Sequence, residues 1–150
     1  RRRQRQMCIR DSFKEMQAKY PGRFVLCQGF VPELARKIYG GSDIFLMPSK
    51  SEPCGLSQMV ALRYGSIPVV RETGGLKDSI TDSGDGKGNG FTFQTYDTQD
   101  MLNSVHRAIY AYNESKDGWK VLVERAMACD NSWGRSANDY IRLYKQLINS

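Results

Sequence analysis

Histidine is almost absent from this chain. His106 is the only one, which excludes any multi-histidine metal centre. The four cysteines, Cys8, Cys27, Cys54 and Cys129, form no CxxC pair, so zinc and iron–sulfur spacing is missing as well. Long apolar runs are lacking too. Ile44 to Met47 and Met59 to Leu62 are typical stretches, far short of the ~20 residues needed to span a bilayer. No apolar segment follows the basic N-terminus, so no secretory signal is expected. Reduced thiols in a cytoplasmic protein are the expectation.

What remains is ordinary globular stock. At 150 residues, 40% hydrophobic and 25% charged, the chain has the size of one domain and can bury a core without disulfides or metal. Its net charge is +6, but residues 1–12 (RRRQRQMCIRDS) hold five arginines and one aspartate and so carry +4 of it. A nucleic-acid partner would need that charge on the folded body, and none is expected. The arm has no apolar periodicity and reads as disordered. It also reads as a stretch not native to the gene, so that the true chain begins near Phe13 and lacks its upstream part.

From Phe13 the punctuation is regular. Phe13 to Tyr20 has helical spacing and stops at Pro21-Gly22, and Arg23 to Cys27 predicts a short strand. Pro32 opens a helix through Tyr39, and Gly40-Gly41 ends it. Ser42 to Met47 is an apolar run of strand length closed by Pro48. Gly55 to Tyr64 predicts a helix with Gly65 as its cap, followed by a strand over Ile67 to Val70. Residues 82–90 hold four glycines and read as a flexible loop. Thr98 to about Asn113, Asp117 to Cys129 and Ser132 to Ile148 predict three helices, the last with Trp133, Tyr140, Leu143, Tyr144 and Leu147 on one stripe. Alternating apolar strands and helices imply a parallel sheet, part of a doubly wound α/β fold.

In such sheets ligands bind beyond the carboxyl ends of the strands. Three loops lie there: Gln28-Gly29-Phe30, Pro48 to Leu56, and Arg71 to Leu76. The middle loop leads straight into a helix N-terminus, where bare backbone amides and a positive dipole end suit a phosphate. Gly55 allows close approach, and the amides of Leu56 and Ser57 face that ligand. Glu52 suits a sugar hydroxyl or a cationic transition state, although on spacing alone helix capping or plain exposure is the better account of a lone glutamate. Cys54 has no histidine base nearby and reads as a small contact residue rather than a nucleophile; His106 reads as a surface side chain. Gly74-Gly75 offers another anion-accepting turn.

Glu52-Pro53-Cys54-Gly55-Leu56, preceded by DIFLMPS and followed by ALRYGSIPVVRETGGLKDSI, closely resembles the C-terminal half of bacterial glycogen synthases and plant starch synthases. The resemblance runs from about Phe13 to the end, including Gly40-Gly41-Ser42-Asp43 and Ser132-Trp133. It implies a Rossmann-like domain, the C-terminal portion of a two-domain glycosyltransferase of GT-B type, over residues 13–150. It implies retaining transfer of glucose from ADP-glucose to the non-reducing end of an α-1,4-glucan, with no metal or other cofactor. Glu52 then takes the position of the acid against the donor glucose. Cys54, Gly55, Leu56 and Ser57 match the turn meeting the glucose and diphosphate, Phe30 the aromatic stacking on adenine, and Thr73, Gly74 and Gly75 the loop bordering sugar and phosphates. Related enzymes with a two-acid motif carry a second glutamate where this chain has Val60, which suits the synthase branch. The implied phosphate-clamping Arg and Lys and the entire N-terminal domain lie upstream of Phe13, so these 150 residues alone are expected to be inactive. The expected partners are ADP-glucose, the glucan and that N-terminal domain, with no membrane, in the cytoplasm or, in a plant, the plastid. Another retaining nucleotide-sugar transferase, or a nucleotide- or glucan-binding module without catalysis, stays open.

Overall fold

The computed structural model describes residues 2–29 and 31–148, with side chains from Cys8 onward. It divides into two compact units, residues 1–35 and 36–150.

The first unit is dominated by α1 (Arg2–Lys19). The backbone of residues 2–12 is therefore helical, not the disordered arm that its polarity predicts. Arginine, glutamine and methionine are good helix formers and extend a helix already begun at Phe13 to Lys19. Phe13 stacks on Phe24 at 6.0 Å. The strand expected at Arg23 to Cys27 is extended chain without a ladder. Local β-propensity makes a strand only where a neighbour accepts its hydrogen bonds, and here the Leu26 amide donates to Gln17 Oε1 at 2.6 Å instead.

Helix α2 (Pro32–Gly41) carries the chain into the second unit. There β1 (Ile44–Met47), β2 (Ile67–Arg71) and β3 (Phe91–Phe93) form a parallel sheet in the order β1-β2-β3. Between β1 and β2 lies α3 (Ser57–Tyr64), and after β2 comes the short α4 (Gly75–Ser79). Helices α5 (Thr98–Glu114), α6 (Lys116–Met127) and α7 (Trp133–Ile148) complete the chain. β2 is the central strand and is buried from Ile67 to Val70. It contains Pro68, whose carbonyl faces Gly90 just ahead of β3, so the missing N–H falls where no ladder bond is due. Leu62, Val69, Leu76, Ile80, Phe91, Ala108, Trp119 and Leu122 build one core around β2.

Residues 82–90 depart from the flexible loop their glycines suggest. A 3₁₀ turn spans Ser83–Asp85, and Asp82 anchors the segment. Its carboxylate accepts from the Gly84 amide at 2.9 Å and the Thr92 amide at 2.7 Å, and takes a two-pronged ion pair from Arg107 at 2.8 Å on each prong. Partial burial works against the Asp82 charge, but Arg107 and the two amides outweigh it and hold its pKa at about 2. Asn89 adds bonds to Thr81 and Ser79. The same ties set Phe91–Phe93 as a strand that three residues could not announce by periodicity.

Candidate donor site

The site is assembled at the carboxyl ends of β1 and β2. Pro48 ends β1, and the chain then runs through Ser49 to Leu56 before α3 begins. Arg71, the last residue of β2, holds this loop from below. Its guanidinium donates to the Ser49 carbonyl at 2.9 Å, to the Lys50 carbonyl, and to the Gln94 carbonyl beyond β3 at 3.2 Å. One side chain thus ties the loops that leave all three strands.

The loop after β2 then packs on the first loop, backbone against backbone. The Gly75 amide donates to the Glu52 carbonyl at 3.2 Å and lies 3.3 Å from that of Pro53. Gly74 has φ of 46°, a region that side-chain-bearing residues rarely adopt. A Cβ at Gly74 would collide with the Glu52 carbonyl, and one at Gly75 with the Cys54 carbonyl. Both glycines are therefore required by contact, not only by turn geometry.

At the far end of the loop, Leu56 occupies the cap position of α3 and brings no side-chain hydrogen bond to it. The leading amides of the helix keep their positive character for a ligand. Leu56 is 70% exposed, so the turn is open to solvent. The Glu52 carboxylate is half-buried and takes no hydrogen bond or ion pair among the described residues. A cleft of about 560 Å³ opens beside the turn, with Cys54, Leu56, Gly75, Asp130, Trp133 and Arg135 among its walls. Asp130 there is held below the usual carboxylate range by the Ser132 hydroxyl and amide.

The structure accordingly brings Glu52, Cys54, Gly55, Leu56, Ser57, Thr73, Gly74 and Gly75 together at one sheet edge. Phe30 lies outside the described residues. His106 is exposed on α5. No group of three or more His, Cys, Asp or Glu residues suited to a metal occurs among the described residues, and no described helix is long and apolar enough to cross a membrane. Two residues escaped the sequence reading: Arg71, whose three carbonyl partners are tertiary, and Gln58, buried behind the turn. Gln58 was the findable one, as a polar residue beside Ala61 and Leu62 on the helix face that goes inward.

With this geometry in view, similarity to known proteins is informative. Glycogen synthases of Desulforudis audaxviator and Geobacillus thermodenitrificans are 48% identical over 140 residues and 51% over 138. They match 92% and 91% of the chain, which spans 28% of each relative's length. The catalytic domain of starch synthase IV from Arabidopsis thaliana, solved bound to ADP and acarbose, superposes with a TM-score of 0.80 at 41% identity, covering 93% of this chain and 30% of that one. A sucrose-phosphate synthase from Thermosynechococcus elongatus, at 22% identity and a TM-score of 0.61, shares the fold. The parallel sheet and its helices are thus a Rossmann-like C-terminal portion of a GT-B glycosyltransferase. Residues 10–118 match the family model of the glycosyl transferases group 1, and the chain belongs to that family.

Proposed function

We propose that this chain is the donor-binding portion of a glycogen or starch synthase that moves glucose from ADP-glucose to the non-reducing end of an α-1,4-glucan with retention. The observation that carries the reading is the packing of the Glu52–Ser57 turn on Gly74-Gly75. It brings the Glu52 backbone, an uncapped helix start and a second glycine turn together beside one open crevice. The amides of Leu56 and Ser57 and the Thr73–Gly75 turn meet the diphosphate and glucose. Glu52, with no partner competing for its charge, faces the donor sugar and stabilises the positive charge that grows at the anomeric carbon as the diphosphate leaves. The acceptor hydroxyl attacks from the face the diphosphate vacates. The ADP and acarbose held by the starch synthase support a nucleotide and a glucan as ligands.

The chain spans 28% of its glycogen synthase relatives, and transfer needs a closed cleft. The 150 residues therefore bind donor without turning it over, and the longer polypeptide catalyses. The test is Glu52→Ala in that longer polypeptide, assayed with ADP-glucose and with UDP-glucose. Loss of kcat by about 100-fold or more is expected, with ADP-glucose the better donor. A kcat near that of the unsubstituted enzyme removes Glu52 from the chemistry, and preference for UDP-glucose reassigns the base.

A further inference from the structure

Gln58 has an unusual burden. It sits in the first turn of α3 and is fully buried. Its Nε2 donates to the Gly55 carbonyl at 2.8 Å and to Ser79 Oγ at 3.0 Å. Ser79 Oγ in turn donates to the Gly75 carbonyl at 2.6 Å. The Gln58 Oε1 is buried without a hydrogen-bond partner. An unmet buried amide oxygen opposes folding, and a leucine would fill a similar volume without that cost. The residue therefore does something other than fill the core.

Its bonds show what. They form one relay, from the Gly55 carbonyl through Gln58 and Ser79 to the Gly75 carbonyl. The ends of the relay are the two glycine turns of the crevice. A carboxamide serves both ends at once, because its two Nε2 protons are spent on two acceptors. A carboxylate in the same place has no proton to give, and an alkyl chain has none at all.

We propose that Gln58 is a positioning residue for the donor site. It fixes the Gly55 turn against the Gly75 turn so that their amides converge on one sugar diphosphate. The inference rests on the donor-site reading above. Gln58 touches neither sugar nor phosphate; it acts by holding the groups that do, and misplacement of such groups by about 1 Å costs up to about 100-fold in rate.

The test uses the longer polypeptide and three proteins: unsubstituted, Gln58→Leu and Gln58→Glu. Gln58→Leu is expected to lower kcat/KM for ADP-glucose by about 10- to 100-fold and to leave the KM for glucan unchanged. Gln58→Glu is expected to be poor at neutral pH and to recover relative to the unsubstituted enzyme as pH falls. Burial raises a carboxyl pKa, and the protonated acid regains one donor. Gln58→Leu within about twofold of the unsubstituted kcat/KM overturns the proposal, as does an equal loss in donor and glucan parameters. Should Gln58→Leu not fold, Gln58→Glu decides: a ratio to the unsubstituted enzyme that stays flat with pH overturns the proposal, and recovery in acid supports it. An unsubstituted enzyme inert toward ADP-glucose sinks the donor reading itself, and the positioning role with it; an active one indifferent to both substitutions sinks only the role of Gln58.

Discussion

Helices α6 and α7 are neighbours in sequence, and each carries one of the chain's two tryptophans. Trp119 on α6 is 8% exposed and meets Tyr112 edge-on at 5.2 Å, with Leu122 and Ala126 beside it in the core. Trp133 on α7 is 90% exposed, and α7 buries none of its residues. Both helices have an apolar stripe at helical spacing. Amphipathic spacing records that a face is suited to burial; it does not record where the covering surface is. The strands repeat the contrast, since β2 is buried from Ile67 to Val70 while Leu46 on β1 is 43% exposed.

That contrast can be broken by substitution, beginning with the largest effect. Trp119→Ala should cost about 3–5 kcal/mol in denaturant unfolding, because it empties a packed site. A loss below about 1 kcal/mol would mean that α6 is no better covered than α7. Gly75→Ala should come next, at about 2–3 kcal/mol with broadened amide resonances at Glu52 and Cys54, since the added methyl must displace a backbone carbonyl. An unchanged spectrum would dissolve the packing of the two loops.

Asp82 supplies a smaller, pH-dependent term. Its folded pKa of about 2 lies below the ordinary 3.8, so its contribution is complete above the ordinary value and is lost as pH falls through about 2. The shift alone would give more, but the pair is partly exposed and solvent screening reduces it to about 1 kcal/mol. The stability advantage of the unsubstituted chain over Asp82→Asn should therefore be present at neutral pH and shrink toward pH 2; an advantage constant with pH would refute the ion-pair account. Smallest of all, Trp133→Ala should change stability by less than about 0.5 kcal/mol. It should also remove the red-shifted, readily quenched part of the tryptophan fluorescence, leaving the signal of Trp119.

The elements most legible in the sequence are those with enough length for a period and clear stops: α3 before Gly65, β2, and α5 through α7. Three residues, Phe91 to Phe93, are too few to show a strand's alternation, and α4 is only five residues long. The segment at Arg23 to Cys27 misled because strand formation depends on a partner, and the glycines of 82–90 misled because Asp82 and Asn89 hold them from outside the loop's own backbone preferences. For the site, the turn at Glu52 to Ser57 and the glycines at 74 and 75 were readable as motifs. That one rests on the other, with Arg71 clamping them, is a tertiary fact with no local signature; of the clamp, Gln58 alone leaves a trace, as a polar residue on the inward face of α3.

The seating of Gly74 and Gly75 on the Glu52 and Cys54 carbonyls has a practical consequence for redesign. The two segments fit as a mortise and tenon, so a loop grafted alone from an enzyme with another donor will meet a counterpart cut to a different shape. Libraries that vary donor choice should exchange residues 49–58 and 71–79 as one cassette.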